Sequence, residues 1–294
     1  MTSIRIGAWQ TVSSEGGDRV ALDGNRIAVC GVARLSVWQD HTRLASADAP
    51  SPAPGAPRFL CSRVYWGPGL YDLESGTYQW LENTAPRAQP LQRERCHVYA
   101  WSPRGDWILG CFGTGDSAHS VRVTLFNGRS GEKVADLSHG VGLPPQAAWI
   151  GEQAAVVGFR DLRVYGLSGE HLADVELHGA DIVALDAAIG ERRLMVVEQA
   201  RAIHWIDTAA WSVQESWPGP WLSGAVSPDG QLAAALEPWG KLHFAFLEDG
   251  HFKVAGHADA DSSAITLALT RTRIATAGGG KLRWADLSVD GHPF

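Results

Sequence analysis

One short pattern returns seven times along the chain, and it restricts the fold more than any other feature: a strand of alternating apolar residues that ends in an aromatic side chain. The instances are LSVWQD at 35–40, GLYDLESG at 69–76, RVTLFNGRSG at 122–131, LRVYGLSG at 162–169, AIHWIDT at 202–208, KLHFAF at 241–246 and KLRWADL at 281–287. Their aromatics, Trp38, Tyr71, Phe126, Tyr165, Trp205, Phe244 and Trp284, follow one another at spacings of 33, 55, 39, 40, 39 and 40 residues. A period of about 40 to 45 residues is the length of one four-stranded propeller blade, a unit that buries its faces only against neighbouring copies.

The residues between the aromatics supply the other strands. In 225–246, AVSPDGQLAAALEPWGKLHFAF, a strand meets the turn Pro228-Asp229-Gly230, then a second strand and a third. Pro presets φ and Gly accepts the left-handed conformation that such a turn needs. Trp101 to Asp106, WSPRGD, repeats that turn, and HLADVELH at 171–178 reads as an outer strand. Each blade is therefore assigned strands a, b, c (with the aromatic) and d.

The fold expected is all-β, a seven-bladed β-propeller of four-stranded antiparallel blades in one domain over 1–294. The blades run approximately 18–49, 50–83, 94–139, 145–178, 181–217, 221–257 and 262–287. After KLRWADL only SVDGHPF remains, too short for the last strand d. The stretch Ser3 to Gln10, SIRIGAWQ, has the required alternation and is expected to complete the last blade, because a closed ring leaves no sheet edge unpaired. In blade two, SADAPSPAPGAP at 46–57 stands where strand a belongs, which leaves three strands or four. That segment and NTAPRAQPLQRERC at 83–96 read as long loop tips without fixed structure.

Those turns and endings resemble the WD-repeat family: Ser-Pro-Asp-Gly turns, His-Gly or Gly-His pairs near blade starts at His139, His178 and His257, and the Tyr71-Asp72 ending. The resemblance covers nearly the whole chain. It implies a hydrogen-bonded set in each blade, made of a His before strand a, a Ser or Thr on strand b, an Asp in the b–c turn and the strand c Trp. His139, His178 and His257, with Asp116 and Asp161 at b–c turns, are the structural candidates, and partial sets are expected in blades three and four. The commonest role implied is docking of a protein segment over the channel mouth.

Composition narrows the partner. A formal net charge of −7 opposes the clustered Lys and Arg that nucleic acid binding needs, so no nucleic acid is expected. With 45% hydrophobic residues, 19% charged and a mean hydropathy of −0.10, the chain has the material for a large core. MTSIRIGAWQ shows no leader pattern, and no apolar run of about 18 residues occurs, so no membrane partner is expected and the chain reads as cytoplasmic. Cys30, Cys61, Cys96 and Cys111 form no Cys-x-x-Cys pair and read as small buried hydrophobes.

No catalytic residue, cofactor or metal is expected. The chain lacks Gly-x-Ser-x-Gly, and AGGG at 277–280 precedes a strand and lacks a Lys-Ser/Thr ending, so it reads as a b–c hairpin rather than a phosphate loop. His257, Asp259 and Asp261 alternate on one segment, yet a zinc site asks for three or four convergent ligands. The alternative function is a metal-dependent, lactonase-like hydrolase or a small-ligand receptor with a carboxylate-lined channel, for which Glu198, Asp116 and Glu237 are the residues to follow.

The main expectation is a scaffold or adaptor that binds another protein or a peptide segment. In this architecture the b–c turns and d–a connections share one face. From b–c turns that rim takes Trp66, Asp116, His119, Arg160, Arg201, Trp239 and Lys241; from d–a connections it takes His139, His178, Trp217, Trp221 and His257. Trp and Arg dominate binding hot spots, so Trp66, Arg160, Arg201, Trp217, Trp221 and Trp239 are the partner-binding candidates. Pro and Gly in WPGPW at 217–221 stiffen that loop and are expected to present both tryptophans.

Overall fold

The computed structural model describes residues 3–13, 17–31, 33–49, 55–81, 94–114, 121–141, 146–188, 193–248 and 251–290. Two short strands, β1 (Ser3–Ile6) and β2 (Gln10–Ser13), open the chain. Blade one comprises β3 (Arg19–Asp23), β4 (Arg26–Cys30), β5 (Arg34–Gln39) and β6 (Thr42–Asp48). Blade two comprises β7 (Arg58–Leu60), β8 (Arg63–Trp66), β9 (Gly69–Asp72) and β10 (Thr77–Trp80). Blade three follows with β11 (Glu94–Trp101), β12 (Trp107–Thr114), β13 (Val121–Asn127) and β14 (Lys133–Val141). Blade four holds β15 (Gln146–Ile150), β16 (Ala154–Gly158), β17 (Leu162–Gly166) and β18 (His171–Val175). Blade five holds β19 (Ile182–Ala187), β20 (Arg193–Glu198), β21 (Ala202–Asp207) and β22 (Ser212–Pro218). Blade six holds β23 (Ser223–Val226), β24 (Leu232–Leu236), β25 (Lys241–Glu248) and β26 (His251–Asp259), and blade seven β27 (Thr266–Leu269), β28 (Arg273–Gly278) and β29 (Lys281–Asp290).

Every blade is antiparallel, and each of the seven aromatics sits on its strand c. The b strands β16 and β24 are buried at every position, because both of their faces meet another blade. The d strands β6 and β22 alternate exposed and half-buried positions, as an outer strand with one wet side should. The core is accordingly divided into seven apolar clusters, one at each seam between adjacent blades.

One of those clusters joins Val12, Ala275, Ala277, Leu282 and Trp284 of blade seven to Val20, Ile27 and Val29 of blade one, and so closes the ring. The N-terminal segment supplies the missing strand. β1 pairs with β29 from Ser3 opposite Asp290 to Ile6 opposite Leu287, and β2 pairs from Gln10 opposite Trp284 to Ser13 opposite Lys281. Between them residues 7–9 are not strand, with the Gly7 N–H donating to Asp286 O at 2.9 Å. The clasp therefore reaches Ser13, past the Gln10 limit read from the alternation. Arg273 pins the same seam: it donates to Asp286 Oδ1 and to Asp40 Oδ1 of blade one, each at 2.9 Å, and stacks 4.0 Å above the Trp284 ring.

In five blades the register between strands c and d slips beside the key aromatic, at Trp38, Phe126, Tyr165, Trp205 and Phe244. One residue of strand d is left unpaired there, a bulge that twists the outer edge and blunts its capacity to recruit another strand. The Ser-Pro-x-Gly turns join strands a and b: Gly105 (φ +75°) and Gly230 (φ +72°) each donate their N–H back to the Ser carbonyl, of Ser102 and Ser227.

Blade two has four strands, although its strand a is only three residues long and begins after the Pro-rich segment. Gly55, at φ +131°, is wedged against blade three, where an added Cβ would lie 2.3 Å from Tyr99 O, and it accepts the Cys30 thiol at 3.4 Å. Residues 50–54 and 82–93 of the two long loops lie outside the described residues, but Ser46–Asp48 and Glu94–Cys96 at their ends are strand. Cys30 and Cys111 are buried, the thiol of Cys30 pushed up to about 12 by burial, whereas Cys61 is exposed in a turn. The glycines of 277–280 form the β28–β29 hairpin.

The innermost strands carry a pair of opposite charges, Asp186 and Arg58. Asp186 on β19 accepts the Val226 N–H at 2.9 Å, linking the innermost strands of blades five and six. Burial drives its carboxyl up to about 6 against the pull of that N–H and of Arg58 on β7. Among the described residues no helix is long and apolar enough to cross a membrane.

Candidate functional site

Strands b and c of blade five carry an acid and an imidazole, the imidazole standing where blades one to four carry Val37, Leu70, Leu125 and Val164. β20 ends in Glu198, a short turn follows, and His204 on β21 sits immediately before the key aromatic Trp205. Side chains alternate across a strand, so Glu198 and His204 share the face on which Leu194, Val196 and Ile206 pack against blade four. The connection from blade four delivers His178 to the same place.

Glu198 and His204 are wholly buried, and the His178 side chain is 51% exposed. Glu198 Oε2 receives His204 Nε2 at 2.7 Å and His178 Nδ1 at 3.2 Å, while Oε1 accepts the Ala180 N–H at 3.2 Å. His204 Nδ1 lies 2.8 Å from Ser216 Oγ on strand d, and the two imidazole rings are 5.0 Å apart. Burial pushes the Glu198 carboxyl up, but the bonds from His204, His178 and Ala180 outweigh it and hold the group below its ordinary value.

Blade six repeats the device with one change. Glu237 follows strand b and His243 lies on strand c just before Phe244, with Nε2 2.8 Å from Glu237 Oε1. The position that His178 takes in blade five is filled here by Trp217 and Trp221, whose rings stand edge-on to His243 at 6.1 and 5.3 Å. Burial draws the His243 imidazole below its ordinary value against the opposing pull of Glu237.

Several sequence-based placements change. Trp66 is wholly buried in the blade one–two seam, and Trp221 is 2% exposed, so neither presents surface. The WPGPW loop folds inward: Trp221 Nε1 donates to Trp217 O at 2.8 Å, the two rings lie 4.7 Å apart, and Gly219 gives its N–H to Arg201 O. Trp217 is half-buried, whereas Trp239 is 86% exposed. Arg160 pairs with Asp181 at 3.0 Å, and Arg201 donates to His178 O at 3.0 Å, so both cations are on the loop face and tied to the blade four–five connection.

Of the structural candidates, His178 joins a hydrogen-bonded set, but in blade five and around a glutamate. Asp161 is exposed at its turn and makes no side-chain hydrogen bond among the described residues, and His257 lies exposed on β26 opposite His243 rather than at a blade entry. Asp116 and His119 lie outside the described residues, as does the side chain of His139 on β14. The indole N–H groups of the strand c residues Trp38, Trp205 and Trp284 find no protein acceptor among the described residues, unlike the set that the family resemblance implies. Asp261 does not turn toward His257: it accepts the Ser263 N–H at 3.0 Å and Lys281 Nζ at 3.0 Å. Glu198 and Glu237 each bind a histidine within their own blade.

Sequence reasoning noted Glu198 and Glu237 separately and missed what joins them. Glu-x5-His occurs at 198–204 and again at 237–243, at the same offset before the blade aromatic. Comparison with known proteins finds no family model that matches the chain and no curated protein that matches it.

Proposed function

We propose that this propeller is a non-enzymatic scaffold that docks a segment of another protein on its b–c and d–a loop face, with Trp239 as the anchor. One observation carries the reading. Trp239 is 86% exposed and held at φ +70°, between Pro238 and Gly240, in the b–c loop of blade six. A bulky residue in the left-handed region costs on the order of 1 kcal/mol or more and persists only where its surroundings impose it. Gly240 supplies that frame: its carbonyl accepts the Ala260 N–H at 2.7 Å, and an added Cβ would lie 2.4 Å from Asp261 O.

A strained, solvent-facing indole contributes nothing to the core, and it has the area and the hydrogen-bond donor of an interface hot spot. Arg160 and Arg201 extend the same face toward blade four. The WD-repeat resemblance points to the same use of the face, and a role among cytoplasmic proteins fits it.

The test is selection of binding peptides from a random displayed library on the full chain, followed by affinity measurement with wild type and Trp239→Ala. Peptides that lose at least tenfold in affinity for a variant that melts like wild type support the reading. Peptides that bind both forms equally place the interface elsewhere, and failure to select any counts against a docking face.

A further inference from the structure

We propose that His178, Glu198 and His204 form a binding site for a divalent ion of the zinc type at the seam between blades four and five. One ligand atom from each of His178, Glu198 and His204 lies within 4.8 Å of the other two. Two imidazoles and one carboxylate are a complete protein ligand set for zinc when a fourth position is left to water. The site is independent of the docking surface around Trp239.

Ligand atoms within 4.8 Å of one another have to draw together around one ion, and two of the three separations are already short. Ligand atoms about 2.1 Å from a tetrahedral ion sit roughly 3.4 Å apart. His178 Nδ1 is already 3.2 Å from Glu198 Oε2, and the 2.7 Å separation of His204 Nε2 from the same oxygen has to open by roughly 0.7 Å. The ion takes the place of the hydrogens by which His204 Nε2 and His178 Nδ1 meet the carboxylate, and in each ring that hydrogen moves, through solvent, to the other nitrogen.

The remaining atoms of the ligands are already oriented, as outer partners do in metal sites. Glu198 Oε1 is occupied by the Ala180 N–H, His204 Nδ1 faces Ser216 Oγ, and Arg201 holds the His178 carbonyl. With Nε2 on the ion, His204 Nδ1–H donates to Ser216 Oγ. His178 is the exposed member, so an ion enters from its side.

Blade six provides the internal contrast. Its Glu237–His243 pair shows that a carboxylate and an imidazole suffice to fill this position in a blade. A purely structural pair has no use for a third, solvent-facing imidazole, and blade six puts tryptophans there instead.

The full chain, stripped with chelator, is titrated with Zn²⁺ in competition with a chromogenic chelator, and separately with Co²⁺ followed by visible absorption. The expected result is one ion per chain and the intense visible bands of low-coordinate Co²⁺. His178→Ala is expected to weaken binding at least 100-fold without altering the melting temperature, because its side chain is half exposed. Ser216→Ala is expected to weaken it about tenfold, and His243→Ala to leave it within about twofold. Wild-type binding no tighter than that of His178→Ala, a Co²⁺ spectrum of hexaaqua type, or an equal loss in His243→Ala would each overturn the assignment.

Discussion

Replacing Asp186 by Asn should make this protein more stable, and only at pH values where the aspartate is ionised. The side chain is half-buried on β19 and accepts the Val226 N–H at 2.9 Å; its carboxyl is raised from 3.8 to about 6. An acid whose folded value is raised holds its proton more tightly when folded, so stability is greatest below the unfolded value and falls as pH rises from 3.8 to about 6. At 1.36 kcal/mol per unit, that rise corresponds to ~3 kcal/mol of instability, present in full above pH 6 to 7. The attraction of Arg58 is already contained in the raised value, since it acts on the ionised form. Asn keeps an oxygen for the Val226 N–H and has no charge to desolvate. Urea denaturation of wild type and Asp186→Asn at pH 8 and pH 4 is the assay, with m-values compared to check that both unfold the same way. The variant should gain up to about 3 kcal/mol at pH 8 and close to nothing at pH 4. A variant equally or less stable at pH 8, or a gain of the same size at both pH values, would refute the reasoning.

Arg273→Ala removes the contacts that join Asp286, Asp40 and Trp284 across the closing seam and should cost about 2 kcal/mol, between the values for exposed and buried pairs, measured by denaturant midpoint. Deleting residues 1–13 strips the partner strands from β29 and exposes Val12's seam; a lowered melting temperature together with concentration-dependent light scattering is expected, since an open edge recruits other strands. Trp239→Gly relieves a positive φ and should leave stability unchanged or raise it by up to about 1 kcal/mol while weakening selected peptides, which separates strain from folding by calorimetry. Asp261 is held below the usual carboxylate range, chiefly by Ser263 Oγ and N–H and by Lys281, so its stabilisation is present above the unfolded value and is lost as pH falls. Asp261→Asn should therefore melt lower than wild type at pH 7, with a gap that narrows toward pH 3.

Much of the ring was written in the chain. The seven aromatics mark strand c because each blade needs a large side chain at the same depth, and the Ser-Pro-x-Gly turns mark strands a and b because few other residues accept those dihedrals. The N-terminal clasp followed from a missing strand. Blade two was ambiguous because a three-residue strand flanked by Pro and Gly has no alternation long enough to read.

The loop face was less legible. WPGPW looked like an exposed pair, and Trp221 is buried because Gly219 lets the loop turn back and the Trp217 carbonyl accepts the indole N–H. Pro and Gly restrict how a loop bends without stating which way its side chains point. The repeated Glu-x5-His was present in the sequence, but the apolar Val37, Leu70, Leu125 and Val164 at the histidine's position in blades one to four hid its place in the pattern.

By itself, then, the sequence determined the strand periodicity, the number of blades and the closure by the N-terminus, because these depend on local dihedrals and on an alternation that neighbouring residues share. Tertiary structure decided which tryptophan faces solvent and that His178, from the blade four connection, meets Glu198 and His204. Those outcomes depend on how one blade packs on the next, a relation between distant residues that no local pattern encodes.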